Sequence, residues 1–549
     1  MTLILGAPKA TRARFATSIA FAGALLCVRS GVVLVAQTGD GLPMSVEPQF
    51  PLYAVVLGPM DREVTTDSPS AQAYFRQGIQ MKYAFTLPAA VASFEEAQRQ
   101  DPDCAMCYFG EAWARGPFLN GAMQAANAPE AFEAIQRALV LSEADATPVE
   151  RALIEAMSLR YTEEEEETRR MQLDSSYAQA MAAVYRAFPD DLDVGTVYAE
   201  SLMLLNPTRA NYRLGDPFVQ SFHGVLEEVL SRDLSHPGAC HLYVHATEAT
   251  EAPGKAEACA DLLGASIPGS SHINHMPSHT YNEIGRWNSA VRANIEAWHS
   301  DQRAAWEEGV SYAATHNLHM LLYAGSMSGQ GGVALRAAKA YADEVPDGIF
   351  YEALVLLRFG WFDEILALEE VPEQPIQLGL FDFARGYAFL REGETDLATV
   401  YLNRVREAAE NTPEDVLIRG RHTAAQLLGV VGGILEGEIL REQGRLEQAI
   451  KAFALAVEIH EGLSYDEPEP LNFSAHHWLG AALLEAGRPQ EAEGVYRTSL
   501  EMHPHNGWSV FGLGQALRAQ GRDTDADETD AWLADVWSSA DALLRSSRF

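Results

Sequence analysis

The sequence is poor in positive charge. Its 549 residues include 40 lysines and arginines against 76 aspartates and glutamates, which gives a formal net charge of −36. Charge of this sign repels nucleic acid phosphates and anionic membrane surfaces. We therefore expect no nucleic acid partner and no membrane contact beyond the N-terminus, whereas metal ions and cationic ligands are compatible with the chain.

The sequence also lacks the short motifs of the common catalytic classes. It contains no H-E-x-x-H zinc motif, no phosphate-binding P-loop, no G-x-S-x-G nucleophile elbow and no G-x-G-x-x-G dinucleotide fingerprint. No reaction is therefore assigned by a motif, and whether the protein is an enzyme stays open at this point.

Long apolar runs are equally scarce. One extends from Phe15 to Val35, follows a basic start, and is interrupted by Arg29 before it reaches the roughly 20 residues that span a membrane. This pattern predicts a signal peptide cleaved near Ala36 and a periplasmic or secreted protein, with an uncleaved membrane anchor as the alternative.

Only four cysteines follow that segment. Export would place them in a compartment where disulfides persist, so their even number is compatible with two bridges. Buried free thiols are the alternative. The four residues are Cys104, Cys107, Cys240 and Cys259.

A period of 34 residues recurs along the chain. It is clearest when Phe473 is taken as position 1, because small, aromatic and proline residues then fall where tetratricopeptide (TPR) repeats require them. These residues are Leu479, Gly480, Gly487, Ala492, Tyr496 and Pro504. The same register recurs in 74–102 and 437–456. The sequence thus predicts an all-α fold, a TPR α-solenoid of antiparallel helix pairs that form a right-handed superhelix.

The regularity of this period divides the chain into segments. We expect a signal peptide in 1–36, an extended leader in 37–65, N-terminal TPR and irregular helical repeats in 66–235, central histidine-rich repeats in 236–345 and C-terminal repeats in 346–549. The acidic run 163–167 is typical of a solvated helix face. Residues 206–217 resemble a long loop that is a candidate lid.

Eight of the sixteen histidines lie between Pro237 and Gln330. Seven of them occupy repeat positions 2, 5 or 9, which share one helix face because spacings of three and four residues return to the same side. In TPR solenoids this face of the first helix lines the concave groove. Pro277 stands within this series, and it leaves the direction of the neighbouring His275 open.

Histidines clustered on packed helices predict a transition-metal site, with zinc, copper or iron as the candidate ions. The predicted ligands are His241, His245, His275, His279, His316, His319 and Glu248. Further residues predicted to line the ligand groove are His272, Tyr281, Glu283 and Tyr323.

Three alternatives remain for this cluster. The histidines are packing and hydrogen-bonding residues of a groove, or one of them is a general acid or base assisted by Glu248, Glu283 or Tyr281. In the third, the protein is a metal-free adaptor that binds a partner protein or peptide in its concave face. The metal hypothesis instead predicts a metalloenzyme or metal-dependent binding protein for a small molecule or peptide.

The chain resembles a large bacterial group of exported TPR-repeat proteins. The resemblance rests on the segments Asp101–Pro117, His236–Ala249, His275–Trp287 and His316–Leu321, which read DPDCAMCYFGEAWARGP, HPGACHLYVHATEA, HMPSHTYNEIGRW and HNLHML. It implies the solenoid fold over most of the mature chain. The resemblance implies no particular activity, so the metal hypothesis depends on the residues alone.

Overall fold

A computed structural model describes residue 42 and residues 44–53, 57–164, 167–306 and 309–549. The predicted signal peptide, most of the first part of the leader, and Glu165 and Glu166 of the acidic run lie outside the described residues. Within the described part, no helix is both long enough and apolar enough to cross a membrane.

The described chain is built from helices joined by short connections. In the N-terminal part they are α1 Pro69–Tyr83, α2 Leu87–Gln100, α3 Ala105–Arg115, α4 Ala128–Ser142, α5 Pro148–Ser158, α6 Glu167–Ala187, α7 Leu192–Met203 and α8 Pro217–Arg232. The central helices are α9 Pro237–Thr247, α10 Glu257–Ser266, α11 Ser271–His275, α12 Pro277–Glu283, α13 Trp287–Ala304, α14 Ala314–Met327 and α15 Gly331–Glu344.

The C-terminal helices continue this arrangement. They are α16 Ile349–Arg358, α17 Phe362–Ala367, α18 Pro375–Arg391, α19 Thr395–Asn411, α20 Ala424–Glu442, α21 Leu446–Glu461, α22 His476–Glu485, α23 Pro489–Met502, α24 Gly507–Ala519 and α25 Asp523–Val536. Three 3-10 helices span Ala125–Asn127, Arg209–Asn211 and Pro253–Ala256. The strands β1 Leu417–Ile418 and β2 His422–Thr423 pair antiparallel in one small hairpin.

Consecutive helices pack in pairs, and glycine makes the close approach possible. At Gly78, Gly437 and Gly480 an added Cβ atom would lie less than 3.0 Å from a ring on the second helix of the same pair. Those rings belong to Phe94, Phe453 and Tyr496, each of which is fully buried. A side chain at the glycine would push the pair apart. The small and aromatic repeat positions thus explain the pairing, and the predicted all-α TPR solenoid is confirmed.

Side chains fix where the central helices begin. The ring of His236 accepts a hydrogen bond from the backbone of Ala239 at the start of α9, and the hydroxyl of Ser270 does the same for Ile273 at the start of α11. Pro277 is the first residue of α12, and Met276 before it keeps helical angles. His275 therefore ends α11 and points in nearly the direction that a continuous helix would give it.

The four described cysteines form two disulfides, Cys104–Cys107 and Cys240–Cys259. The second bridge ties α9 to α10, the two helices of the first histidine-bearing repeat. It constrains the helix that carries His241 and His245.

The C-terminal repeats contact the central ones. The indole nitrogen of Trp287 donates to the carbonyl of Pro504, and the amide nitrogen of Asn472 donates to the hydroxyl of Ser326. The connection between α21 and α22 consequently lies beside the first helices of the histidine-rich repeats. Residues far apart in sequence share one interior.

Candidate metal centre

Six histidines form two neighbouring groups of three on the helices α9, α11, α12 and α14. The first triad comprises His241, His245 and His272, and the second triad comprises His275, His279 and His316. Within each triad, one ring nitrogen per residue lies within 4.8 Å of the others. The triads adjoin each other, since the ring centroids of His245 and His279 are 5.6 Å apart.

Hydrogen bonds determine which nitrogen carries a proton in two of the three rings of the first triad. His241 places Nδ1 at 2.6 Å from the carbonyl of Tyr83, and His245 places Nδ1 at 3.0 Å from Glu248. Both partners accept, so both Nδ1 atoms donate and a neutral ring keeps a lone pair at Nε2. Nε2 of His245 is buried without a hydrogen-bond partner, and Nε2 of His241 lies 3.1 Å from Nε2 of His272.

Two rings of the second triad, those of His275 and His279, show the same pattern. The amide nitrogen of Asn294 donates to a helix carbonyl, so its oxygen faces Nδ1 of His275 at 3.1 Å and accepts a proton from it. Nδ1 of His279 lies 2.7 Å from the Glu248 carboxylate. The angle at this contact is outside the range of a hydrogen bond, so the contact is an ion pair. A carboxylate oxygen only accepts, and at this distance it requires a proton on Nδ1.

The two Nε2 atoms of this pair face each other. The Nε2 atoms of His275 and His279 are 2.8 Å apart, although both rings already carry their proton at Nδ1. Two lone pairs at that distance repel unless a cation lies between them. A second proton on His279 satisfies this distance directly, whereas a metal ion bound by both nitrogens at about 2.0–2.1 Å requires them to separate to about 3.3–3.4 Å at a tetrahedral angle.

Glu248 connects the two triads. Its oxygens contact Nδ1 of His245 in the first triad and Nδ1 of His279 in the second, and Arg209 lies 2.8 Å from it. Arg209 also binds Glu467 at 2.7 Å. Glu248, His279 and Glu467 are close enough to hold an ion themselves, but the Arg209 guanidinium already compensates both carboxylates. The geometry therefore favours Glu248 as the group that orients the rings.

Five of the six rings are favoured in the neutral state, and His279 is favoured in the charged state. It lowers the pKa of His241, His245, His272, His275 and His316 well below the ordinary value, which keeps these rings neutral and able to bind a metal ion. At His279 burial acts in the same direction, but the nearby Glu248 carboxylate outweighs it and raises the pKa. Positive charge is thus favoured at the point where the lone pairs meet.

Aromatic residues cover the first triad. The ring of Phe85 lies 4.2 Å from His241 and stacks on His245 and His272 at 6.0 and 5.6 Å between centroids. Phe85 adopts a φ of 56°, in the left-handed region that a bulky residue rarely occupies. Tyr312 packs edge-on against His272 at 4.8 Å. These rings shield this side of the triad from bulk solvent.

The second triad opens onto a small cavity of about 30 Å³. His279 forms part of its wall, together with the carboxylates of Glu283, Glu467 and Glu469. Aromatic walls come from Trp287, Tyr323 and Tyr465. The Asn282 side chain also lines the cavity, and its buried amide oxygen has no hydrogen-bond partner.

The remaining predicted residues lie around the triads. His272, predicted for the ligand groove, is a member of the first triad. His319 lies outside both, because its Nδ1 accepts a hydrogen bond from Arg419 at 2.8 Å. The hydroxyl of Tyr281 donates to Asp261 at 2.8 Å, away from the histidines. Glu283 and Tyr323 line the cavity.

Several residues of this site have no signal in the sequence that links them to the histidines. Tyr83 and Phe85 lie at the end of the first described helix, and Glu467 lies in the connection between α21 and α22. Arg209 is the exception in part, since it belongs to the predicted loop 206–217. Arg209 joins that loop to Glu248 through an ion pair.

Comparisons with known proteins agree on the repeats. Two tetratricopeptide repeat models match residues 434–505 and 483–529. The human IFIT1 dimer with m7Gppp-AAAA aligns at 11% identity and a TM-score of 0.31, over 83% of this chain and 95% of that one. Naa15/Naa10 bound to HypK-THB aligns at 14% identity and a TM-score of 0.22, over 85% and 71%. No curated protein sequence matches the chain.

Similarity at this level carries no information on partners or activity. The matched repeats, together with the helix pairs and their glycine-to-ring contacts, identify an α-solenoid of the tetratricopeptide type.

Proposed function

We propose that the central repeats hold a transition-metal centre in which each triad supplies three imidazole ligands. The observation that carries this proposal is the 2.8 Å approach of Nε2 of His275 to Nε2 of His279, while Nδ1 of His275 faces the Asn294 oxygen and Nδ1 of His279 faces the Glu248 carboxylate. The first triad supports it independently, because the buried Nε2 of His245 has a lone pair and no partner. A buried polar atom left in this state costs free energy that an ion would recover.

The ligand set restricts the ions. Neutral imidazoles suit zinc, copper and iron, and hard oxygen-seeking ions such as magnesium and calcium are poor candidates. Three protein ligands per ion leave a coordination position for water or a ligand. When bound, such an ion supplies Lewis-acid or redox chemistry. Glu248 and the carbonyl of Tyr83 hold the rings in the required tautomer, as outer ligands do in metalloproteins.

The adjoining cavity indicates what the centre acts on. Its volume of about 30 Å³ holds about two water molecules, so the centre accommodates only a very small ligand unless the surrounding side chains move. Carboxylates and aromatic rings form its walls, and Glu283 is held at a raised pKa of about 8 because burial and nearby Glu469 disfavour its charge. We therefore propose a metalloenzyme or metal-dependent binding protein for a small polar or cationic molecule.

Export of the protein from the cytoplasm is consistent with this proposal. Both disulfides require an oxidising compartment to persist, and a periplasmic or secreted location provides one. The same location exposes the protein to exchangeable metal ions before or after folding.

Elemental mass spectrometry of the purified protein tests the metal centre. We expect a stoichiometric transition metal in the wild type and its loss in the His241→Ala/His279→Ala double variant, which removes one ligand from each triad. The matched control is His223→Ala, since His223 is a buried histidine that lies outside both triads and contacts the carbonyl of Ala246.

Single variants assign the two triads. His241→Ala should lower the metal content of the first triad only, and His279→Ala that of the second. A wild-type protein without metal, even after reconstitution with zinc, copper and iron salts, contradicts the proposal. A proton on His279 then satisfies the second triad, and the concave face becomes the site of a metal-free adaptor.

A further inference from the structure

A second cleft, separate in its lining residues, lies in the C-terminal repeats. It encloses about 1590 Å³ including its open mouth, between the last turns of α16, α18 and α20 and residues 541–549. Each of those helices carries an arginine in its last turn, namely Arg358, Arg391 and Arg441. Arg545 and Arg548 complete the lining.

The floor of the cleft is a cation without an anion. Arg358 is fully buried, and its Nε and Nη2 atoms have no hydrogen-bond partner. Nη1 contacts Nδ1 of His477 at 3.3 Å, and the guanidinium lies over the Trp508 ring at 3.8 Å. Among the described residues Arg358 forms no ion pair, which is costly for a buried charge. Burial accordingly lowers the pKa of Arg358 well below its ordinary value.

Carboxylates pair with most of the arginines at the mouth of the cleft, and Asp541 lines the cleft beside them. Arg441 and Arg548 are compensated by Glu438, and Arg391 lies 3.8 Å from Glu442. Arg545 is exposed and forms no ion pair within the described chain. Among the described residues, Arg358 and Arg545 are therefore the cleft arginines that have no ion pair.

Aromatic rings line the wall next to the buried cation. Phe359 and Trp361 stack at 5.4 Å between centroids, and Trp508 lies 6.3 Å from Phe359. Flat apolar surface beside a guanidinium suits a ligand that has a planar group and an anionic end.

We propose that this cleft is a binding site for a small organic anion, a carboxylate or phosphate joined to an aromatic group, with Arg358 as its anchor. The anionic end pairs with the free Nε and Nη2 atoms of Arg358, which match the two oxygens of such a group. The ring packs against Trp361 and Trp508. The site is independent of the histidine triads and does not require the metal centre.

Isothermal titration calorimetry on the full chain tests the site with three probes. We expect 2-naphthoate to bind at least about tenfold more tightly than the neutral 2-naphthamide, since only the anion gains charge-assisted hydrogen bonds. Phenyl phosphate distinguishes the source of the anion: tighter binding than 2-naphthoate assigns a phosphate ligand, and weaker binding a carboxylate. Equal affinities for 2-naphthoate and 2-naphthamide overturn the proposal.

Variants locate the binding. Arg358→Gln should abolish binding of 2-naphthoate, and Arg545→Gln should weaken it about threefold to tenfold while leaving 2-naphthamide unchanged. Arg336→Gln is the matched control, because Arg336 is an exposed arginine on α15 outside the cleft. If Arg358→Gln does not fold, Arg545→Gln decides, since Arg545 is exposed. Unchanged binding in Arg545→Gln, or an equal loss in Arg336→Gln, overturns the proposal.

Discussion

Replacing Glu248 by glutamine tests the residue that orients both triads. Glu248 is almost fully buried, and its two oxygens contact Nδ1 of His245 at 3.0 Å and Nδ1 of His279 at 2.7 Å. A glutamine side chain has nearly the same shape but only one acceptor oxygen. Its amide nitrogen must then face one of the two rings as a donor.

The consequence follows from the tautomer of that ring. A histidine that faces an N–H group presents a lone pair at Nδ1, so its proton moves to Nε2 and blocks the atom that points into the triad. One triad thereby loses a ligand. Loss of such an orienting partner weakens metal binding about 10-fold to 100-fold, which corresponds to about 1.4–2.8 kcal/mol.

Competition with a chromophoric chelator of known affinity measures this loss. We expect Glu248→Gln to release metal at about 10-fold to 100-fold lower chelator concentration than the wild type. Glu438→Gln is the matched control, because Glu438 is an equally buried carboxylate whose partners are Arg441 and Arg548. It removes the same charge without touching a triad.

Two results would refute the reasoning. If Glu248→Gln binds metal within twofold of the wild type, Glu248 does not set the ring tautomers. If Glu438→Gln loses metal to the same extent, the loss reflects a weakened fold.

Three further predictions concern stability. Gly480→Ala should destabilise the protein by about 1–3 kcal/mol in urea denaturation because its Cβ meets a buried ring, whereas Gly494→Ala, with open space around it, should be neutral or stabilising. Cys240→Ser should lower the free energy of unfolding by about 3 kcal/mol in the same assay. If the variant and the wild type are equally stable under oxidising conditions, the Cys240–Cys259 bridge is contradicted. Glu283 has a raised pKa of about 8, so its contribution to stability is complete below about pH 4.5 and is lost as the pH rises towards 8. The Glu283→Gln variant should therefore have a higher melting temperature than the wild type at pH 8 and the same melting temperature at pH 4. A difference in melting temperature that does not change with pH would contradict this.

The repeat pattern made the helical part of the site predictable. Histidines three or four residues apart share a helix face whatever surrounds the helix, so His241 and His245 on α9 were expected to point the same way, whereas Pro277 left the direction of His275 open. The structure brings these three histidine side chains together. His319 has the same repeat position as His241 and His275, but its ring accepts a hydrogen bond from Arg419. Arg419 lies in the turn between β1 and β2, which places it beside this ring.

The partners that give the cluster its chemistry were not predictable in the same way. Arg209 and Glu467 lie 258 positions apart in the chain, yet they form an ion pair beside Glu248. Nothing in the repeat register encodes that contact, since it depends on how far the superhelix curls. Tyr83 illustrates the same limit, because its backbone carbonyl is the group that fixes the His241 tautomer.

The sequence by itself determined the helices, their pairing and the face on which the histidines lie, because these depend on the spacing of neighbouring residues along one helix. Only the tertiary structure decided which rings meet, which nitrogen of each carries a proton and which cavity they open onto. Those properties depend on contacts between residues that are distant in the chain, and on the loss of water around them when the repeats close on one another.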